Sequence, residues 1–319
     1  MKRKRGNMIS NRVGVVGAGN VGSAIVNAML LLGVSREIVF YNRTLQRAEA
    51  EAWDISDGIP LTNECTIKPT DKYSDLSRCD IVVVTVGAKQ KEGQSRLDLL
   101  KTNASIIKDV VKNLDEYAPN AKIVLVSNPV DIITRVALSY SKRASNLVFG
   151  SGTILDTARL RDYIGKVLKL NRKNIHAYII GEHGDSEFVP WSNAYVSSIK
   201  LENYPLEGLS LEELKKESLL STKKRAYSII SRKGYTNYGI GVSTAKLVKS
   251  ILRDERKILP ISYLASEEYG LTDGTVLSLP CVVGRDGVHK ELFLELEDSE
   301  KSKLLDSAKS LEDVYHSIV

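Results

Sequence analysis

Cysteine is scarce in this chain of 319 residues: Cys65, Cys79 and Cys281 are odd in number and far apart. That pattern fits neither a disulfide framework nor a cysteine zinc site, and no metal is expected. Long apolar runs are missing too. None approaches the roughly 20 residues that a bilayer span requires, so no membrane role is expected. The opening MKRKRGNMIS is basic but has no apolar stretch of the kind a secretory signal carries, which makes the cytoplasm the expected compartment. A general excess of one charge is also lacking. Of the net +6, four units come from Lys2, Arg3, Lys4 and Arg5, which leaves +2 for the remainder. Such an arm is ordinarily solvated and disordered. There is no arginine–aromatic interleaving and no zinc-finger spacing, so nucleic acid is not an expected partner.

What remains is ordinary globular material, 43% hydrophobic and 26% charged, long enough for two domains each with its own core. The first half alternates strand and helix. Arg12–Gly17 is an apolar run closed by glycine. A helical pattern follows from Asn20 to Leu32, with Val21, Ala24, Ile25, Ala28, Met29 and Leu32 on one face and Gly33 as its stop. Ile38–Tyr41, Ile81–Val86 and Lys122–Val126 read as further strands, separated by helices at AEAEAWDI and at Leu97 to about Tyr117. The unbroken β-branched run IVVVTV fits a parallel strand covered on both faces. In the second half, a helix from about Ile154 leads into a strand ending at His183. Two more helices follow, one over SLEELKKESLLSTKKRAYSIISRKG and one from about Tyr238. Then come antiparallel strands at KILPISYLA, VLSLPCVVG and KELFLEL, with GRDGV as a hairpin, and a last helix near Asp298. The fold class is α/β: a doubly wound parallel sheet followed by a mixed α+β catalytic domain. Residues 1–10 read as a basic disordered arm, 11–150 as a dinucleotide-binding domain and 151–319 as a catalytic and substrate domain.

GAGNVG, comprising Gly17, Ala18, Gly19, Asn20, Val21 and Gly22, follows a strand and opens a helix inside a βαβ unit. That context turns a common glycine string into a Rossmann-type dinucleotide loop. Gly17 permits the turn, Gly19 lets the backbone approach a pyrophosphate, and Gly22 lets the helix close on the strand. An NAD site ordinarily carries an acid about twenty residues on, for the ribose hydroxyls. Here Asn42 and Arg43 stand at that place. Asn42 can still bond a hydroxyl but no longer repels a 2′-phosphate, a difference of about 1 kcal/mol or somewhat more. NADH is therefore expected as the preferred cofactor, with NADPH tolerated better than usual.

VGAKQKEGQSRLD, Val86–Asp98, leaves the carboxyl end of a strand with Gly87 and Gly93 as hinges, as a mobile lid would. Asn128-Pro129 lies at the same sheet edge. Asp156 and Arg159 share a helical face. His183 stands between two glycines in GEHGDSE.

With GYTNYG these strings occur in one order, and from about Asn11 onward the chain resembles the L-lactate and malate dehydrogenase family. The resemblance implies that His183 exchanges the hydroxyl proton, a task that a pKa of about 6.5–7 suits. It implies that Asp156 orients His183, that Arg159 grips the substrate carboxylate through two parallel N–H bonds, and that Arg96 polarises the carbonyl from the lid. Asn128 and Thr236 complete the substrate pocket. Arg47, Tyr73, Gly87, Ala88, Val126, Ser127, Asn128 and Ser151 join Asn42 and Arg43 around the cofactor. Gln90 matches the position facing the substrate's variable end. Without an arginine there, a second carboxylate would be desolvated unpaired at a cost of several kcal/mol, which favours pyruvate over oxaloacetate. Tyr238 and Gly239 depart from the lactate enzymes' usual Trp and Ala, which keeps bulkier, isocaproate-like 2-oxo acids as the alternative. Arg161 and His176 match two phosphate-binding positions of bacterial enzymes activated by fructose 1,6-bisphosphate. A regulated, homotetrameric fermentative enzyme of glycolysis is the resulting expectation.

Overall fold

The computed structural model describes residues 11–88, 95–272 and 274–318. The first half runs β1 (Arg12–Val16), α1 (Asn20–Leu31), β2 (Glu37–Tyr41), α2 (Leu45–Ser56), β3 (Thr66–Thr70), β4 (Ile81–Val84), α3 (Arg96–Tyr117), β5 (Lys122–Leu125), α4 (Val130–Tyr140) and β6 (Val148–Gly150). All four residues of β4 are buried, as a strand covered by helices on both faces requires. These strands pair in parallel in the order β3-β2-β1-β4-β5-β6. The order reverses between β1 and β4, which opens a crevice at the carboxyl ends of the strands.

After β6 come α5 (Ile154–Val167), β7 (Ile175–His176), β8 (Tyr195–Val196), β9 (Ile199–Lys200), α6 (Leu211–Lys233), α7 (Tyr238–Leu252), β10 (Lys257–Leu264), β11 (Val276–Gly284), β12 (Gly287–Glu291) and α8 (Asp298–His316). The antiparallel ribbon β10–β12 does not stand apart. Ser262 on β10 pairs with Gly150 on β6, so the described strands form one nine-stranded sheet, with β7–β9 as a small separate sheet.

Several expectations change here. β3 and β6 are additional strands. The sequence TIKPT of β3 carries Pro69 and an exposed Lys68, which only an edge strand tolerates. Tyr178–Gly181 is not a continuous strand. It is held by two isolated bridges, Ile180 with Phe188 and Gly181 with Ser278. The last strand is GVHKE rather than KELFLEL, because pairing starts at once from the two-residue turn between Gly284 and Gly287.

The two halves also do not keep separate cores. One cluster joins Val16, Val84 and Leu125 to Leu277, Leu304 and Leu311. A second joins Val13, Ile25 and Phe40 to Leu247, Ile251 and Cys281. Only the third, around Leu160, Ile175, Val196 and Leu214, draws on the second half alone. Each fully buried large side chain of this kind contributes roughly 1.5–3 kcal/mol, so the shared clusters bind the halves firmly.

Candidate active site

The glycine loop forms because its residues leave no alternative. Gly17 has φ +115°, a conformation that side chains rarely adopt, and a Cβ on Gly22 would lie 1.9 Å from the Gly17 carbonyl oxygen. A Cβ on Gly19 would meet nothing within 4 Å, so this stretch of backbone faces open space. That arrangement fits a pyrophosphate approaching the start of α1. Thr85, at the end of β4, donates from its hydroxyl to the Gly17 carbonyl at 3.0 Å and braces the loop from below.

Around the loop lie the other strand ends. Asn42 and the exposed Arg43 follow β2. Arg47 Nε donates to the Ala18 carbonyl at 3.1 Å. The Tyr73 ring packs on Tyr41 at 4.2 Å. After β4, Gly87 is exposed, and the Ala88 N–H is held by Asn103 Oδ1 of α3 at 2.8 Å. After β5 come buried Val126 and Ser127, whose hydroxyl donates to the Val86 carbonyl, and then exposed Asn128 in a cis bond to Pro129. Buried Ser151 follows β6 and donates its N–H to the Leu125 carbonyl at 2.8 Å. Gln90 lies outside the described residues. So does the Arg96 side chain, although its backbone opens α3.

The second cluster forms where the first turns of α4 and α5 meet the loop 180–188. Asp156, in the first turn of α5 and 3% exposed, lies between two cations. His183 Nδ1 is 2.7 Å from its Oδ2, and Arg159 Nη1 is 2.9 Å from its Oδ1. The loop carrying His183 is pinned from several sides. Its N–H at His183 donates to Asp131 Oδ2 of α4 at 2.7 Å. Ser307 of α8 accepts the Glu182 N–H at 2.7 Å and shares a hydroxyl hydrogen bond of 2.9 Å with Ser186. On α6, Lys223 Nζ donates to the Asp185 carbonyl at 2.6 Å and the Tyr227 hydroxyl to Asp185 Oδ1 at 2.8 Å.

Two carboxyls in this cluster escaped the sequence reading. Asp131, 1% exposed, accepts from His183 and Ser262, yet burial still raises it from 3.8 to about 6. Glu187, 5% exposed, places an oxygen within 4.8 Å of ligand atoms of both Asp156 and His183. Burial, followed by repulsion from Asp156, raises it from 4.5 to about 8. Asp131 lies two residues after Pro129, and Glu187 closes the GEHGDSE string. An acid four positions after His183, in a loop that folds back on itself, was the available signal.

These acids change the expectation for His183. Desolvation alone would lower the imidazolium, but Asp156, then Asp131 and Glu187, outweigh it and raise the pKa from 6.5 to about 9. The acids around it therefore favour the charged form of the ring. Burial would raise Asp156, but His183 and Arg159 overcome it and hold that carboxyl below its ordinary range. A cavity of about 190 Å³ opens beside this cluster, lined by Asp156, His183, Glu187 and, from α6, Lys223, Tyr227 and Ile230. A roomier one of about 610 Å³ lies at the opposite, amino ends of β1 and β2, around Ser35 and Asn63, away from these groups.

Known proteins resemble this chain over nearly its whole length. Residues 11–150 match the lactate/malate dehydrogenase NAD binding domain, and residues 153–319 match the family's alpha/beta C-terminal domain. An L-lactate dehydrogenase of Clostridium botulinum (strain Loch Maree / Type A3) is 40% identical over 306 residues, covering 95% of this chain and 96% of that protein. One from Salinibacter ruber is 40% identical over 309 residues, covering 96% and 97%. The crystal structure of a lactate dehydrogenase from a Medee basin deep-sea metagenome library superposes with a TM-score of 0.94 at 40% identity, covering 97% of this chain and 99% of that one. The minor L-lactate dehydrogenase of Enterococcus mundtii superposes at 0.92 and 36% identity, covering 98% and 99%. The chain belongs to the lactate/malate dehydrogenase family.

As a member of that family it is an NAD-dependent dehydrogenase, and some of its remaining positions take on a clearer meaning. Tyr238 is 71% exposed and receives Lys233 Nζ 4.0 Å above its ring. A Cβ on Gly239 would press on Leu155 at 3.1 Å, so the glycine makes room for Leu155. Thr236 is half-buried in the loop between α6 and α7. Arg161 donates from Nε to the Ala177 carbonyl at 2.8 Å, next to exposed His176.

Proposed function

We propose that this dehydrogenase interconverts pyruvate and L-lactate. The observation that carries the reading is the buried carboxylate of Asp156 shared between His183 and Arg159. It supplies a proton donor and a carboxylate grip, side by side, for one small 2-oxo acid. When bound, the nicotinamide supplies the hydride. His183, cationic before the reaction, gives its proton to the carbonyl oxygen as the hydroxyl forms, and Asp156 keeps the ring aimed. Arg159 spends one side of its fork on Asp156 and offers the other to the substrate carboxylate. Arg96 and Asn128 polarise the carbonyl, and Thr236 lines the pocket.

Gln90 supports pyruvate over a dicarboxylate, as do the names carried by relatives at 40% identity. The space at Gly239, filled by Leu155, weighs against the isocaproate-type alternative. The same reading assigns residues 11–150 to cofactor binding and 151–319 to substrate. It makes the enzyme a cytoplasmic homotetramer using NADH with some tolerance of NADPH. Fructose 1,6-bisphosphate acts on Arg161 and His176; in support, Arg161 bonds the carbonyl of Ala177, the residue after His176.

Steady-state NADH oxidation tests this with pyruvate, 2-oxoisocaproate and oxaloacetate in parallel, each with and without millimolar fructose 1,6-bisphosphate. Pyruvate gives the highest kcat/KM, and the bisphosphate lowers its apparent KM. A lead for 2-oxoisocaproate would overturn the substrate, and an unmoved saturation curve would overturn the effector.

A further inference from the structure

The crevice's adenosine end differs chemically from an NAD-only site. Where β2 ends, Asn42 uses its backbone N–H on the Thr70 carbonyl at 3.0 Å and its side-chain Nδ2 on the Thr44 carbonyl at 3.2 Å. Its backbone N–H and one of its two amide hydrogens thus hold the turn, and no carboxylate occupies the position that would accept from a ribose 2′-hydroxyl. Directly after it, Arg43 is exposed and makes no ion pair or side-chain hydrogen bond among the described residues. Arg47 reaches back from α2 to the glycine loop through the Ala18 carbonyl, and its guanidinium also holds Glu51 at 2.6 Å. Arg47 thus stands between the β2 end and the glycine loop, where an adenine ribose must lie, and exposed Arg43 follows directly on the end of β2. Thr44 makes no capping hydrogen bond, which leaves its hydroxyl available there. Exposed Lys72, just past the end of β3, adds a third cation. Against these stand Asp71 and Glu51, and Arg47 already neutralises the latter.

We propose that Arg43 and Arg47 form a subsite for the 2′-phosphate of a phosphorylated adenine dinucleotide, making NADPH a working cofactor of this enzyme. Arg43 supplies the planar, doubly bonding contact that suits a phosphate, and Arg47 fixes the far side of the ribose. Asn42 contributes by leaving out the charge that would repel the dianion. The proposal rests on the dinucleotide-crevice reading above and extends it from tolerance to dedicated recognition.

The test uses the full-length enzyme and two probes without nicotinamide, ADP-ribose and 2′-phospho-ADP-ribose, titrated calorimetrically so that turnover plays no part. The wild type binds the phosphorylated probe within about tenfold of ADP-ribose or more tightly, and added salt weakens the phosphorylated probe more. Arg43→Ala shifts the ratio of the two affinities by about tenfold or more toward ADP-ribose. Asn42→Asp, a surface change that restores the acid, shifts it the same way through repulsion. A wild-type preference for ADP-ribose of about a thousandfold, or ratios unmoved by both variants, would overturn the subsite while leaving NADH-linked pyruvate reduction intact. Failure of both probes to bind would overturn the crevice reading along with it.

Discussion

On the proposed mechanism, His183 must carry a proton to reduce pyruvate and must lack one to accept a proton from lactate. Its pKa, raised to about 9, sets the direction of both limbs. Pyruvate kcat/KM stays high through neutral pH and falls as pH rises through about 9, whereas lactate oxidation gains over the same interval. Glu187 helps set that limb, because its ionised form favours the imidazolium. Glu187→Gln removes this charge and moves the alkaline limb of pyruvate reduction to lower pH; an unmoved limb would show that Glu187 acts only as packing. The stability consequence has a definite sign. A carboxyl raised from 4.5 to about 8 on folding contributes stability that is fully present below pH 4.5 and lost as pH rises through 8. Glutamine has no such dependence, so the Tm of Glu187→Gln relative to wild type is higher at pH 8 than at pH 5.

At the scale of elements, the glycine loop and the packing of α1 on β1 are one device. Gly22→Ala forces a Cβ into the Gly17 carbonyl and must push α1 off the strand. ADP-ribose affinity drops by about tenfold or more and Tm falls; a calorimetric titration and a melting curve that both match wild type would refute this account of the loop. The loop, its strand and its helix were legible in the sequence, because β1 and α1 show their periodicities within a few residues. So were α3, α6, α7 and α8, whose apolar spacing and caps are local. β3 and β6 were not legible. TIKPT has no alternation strong enough to announce a strand, and Val148–Gly150 is too short to show a period. The segment before His183 read as a strand because it is buried. Its burial comes instead from Ser278 of β11 and Ser307 of α8, partners about a hundred residues away.

Among the described residues, one nine-stranded sheet runs through both halves beside the small β7–β9 sheet, and two of the three cores are shared between the halves. Composition suggested two domains with a core apiece, since nothing local reveals that β10 will pair with β6. Denaturant unfolding is accordingly expected to be one cooperative transition, seen alike by circular dichroism and by tryptophan emission; two separated midpoints would contradict it. The same continuity explains why the chemical residues were easier to read than the groups that tune them. His183, Asp156 and Arg159 sit in motifs with recognisable order, whereas Asp131 and Glu187 gain their influence only from burial against distant elements.

The central claim is that His183, aimed by Asp156, moves the proton. It is tested most directly by the His183→Asn variant, comparing single-turnover NADH oxidation by pyruvate with the affinity for NADH alone. The account predicts a rate lower by about 10²–10⁴-fold with NADH affinity within a few-fold of wild type. A variant that keeps its rate within about threefold, with the proton evidently arriving from elsewhere, would contradict it.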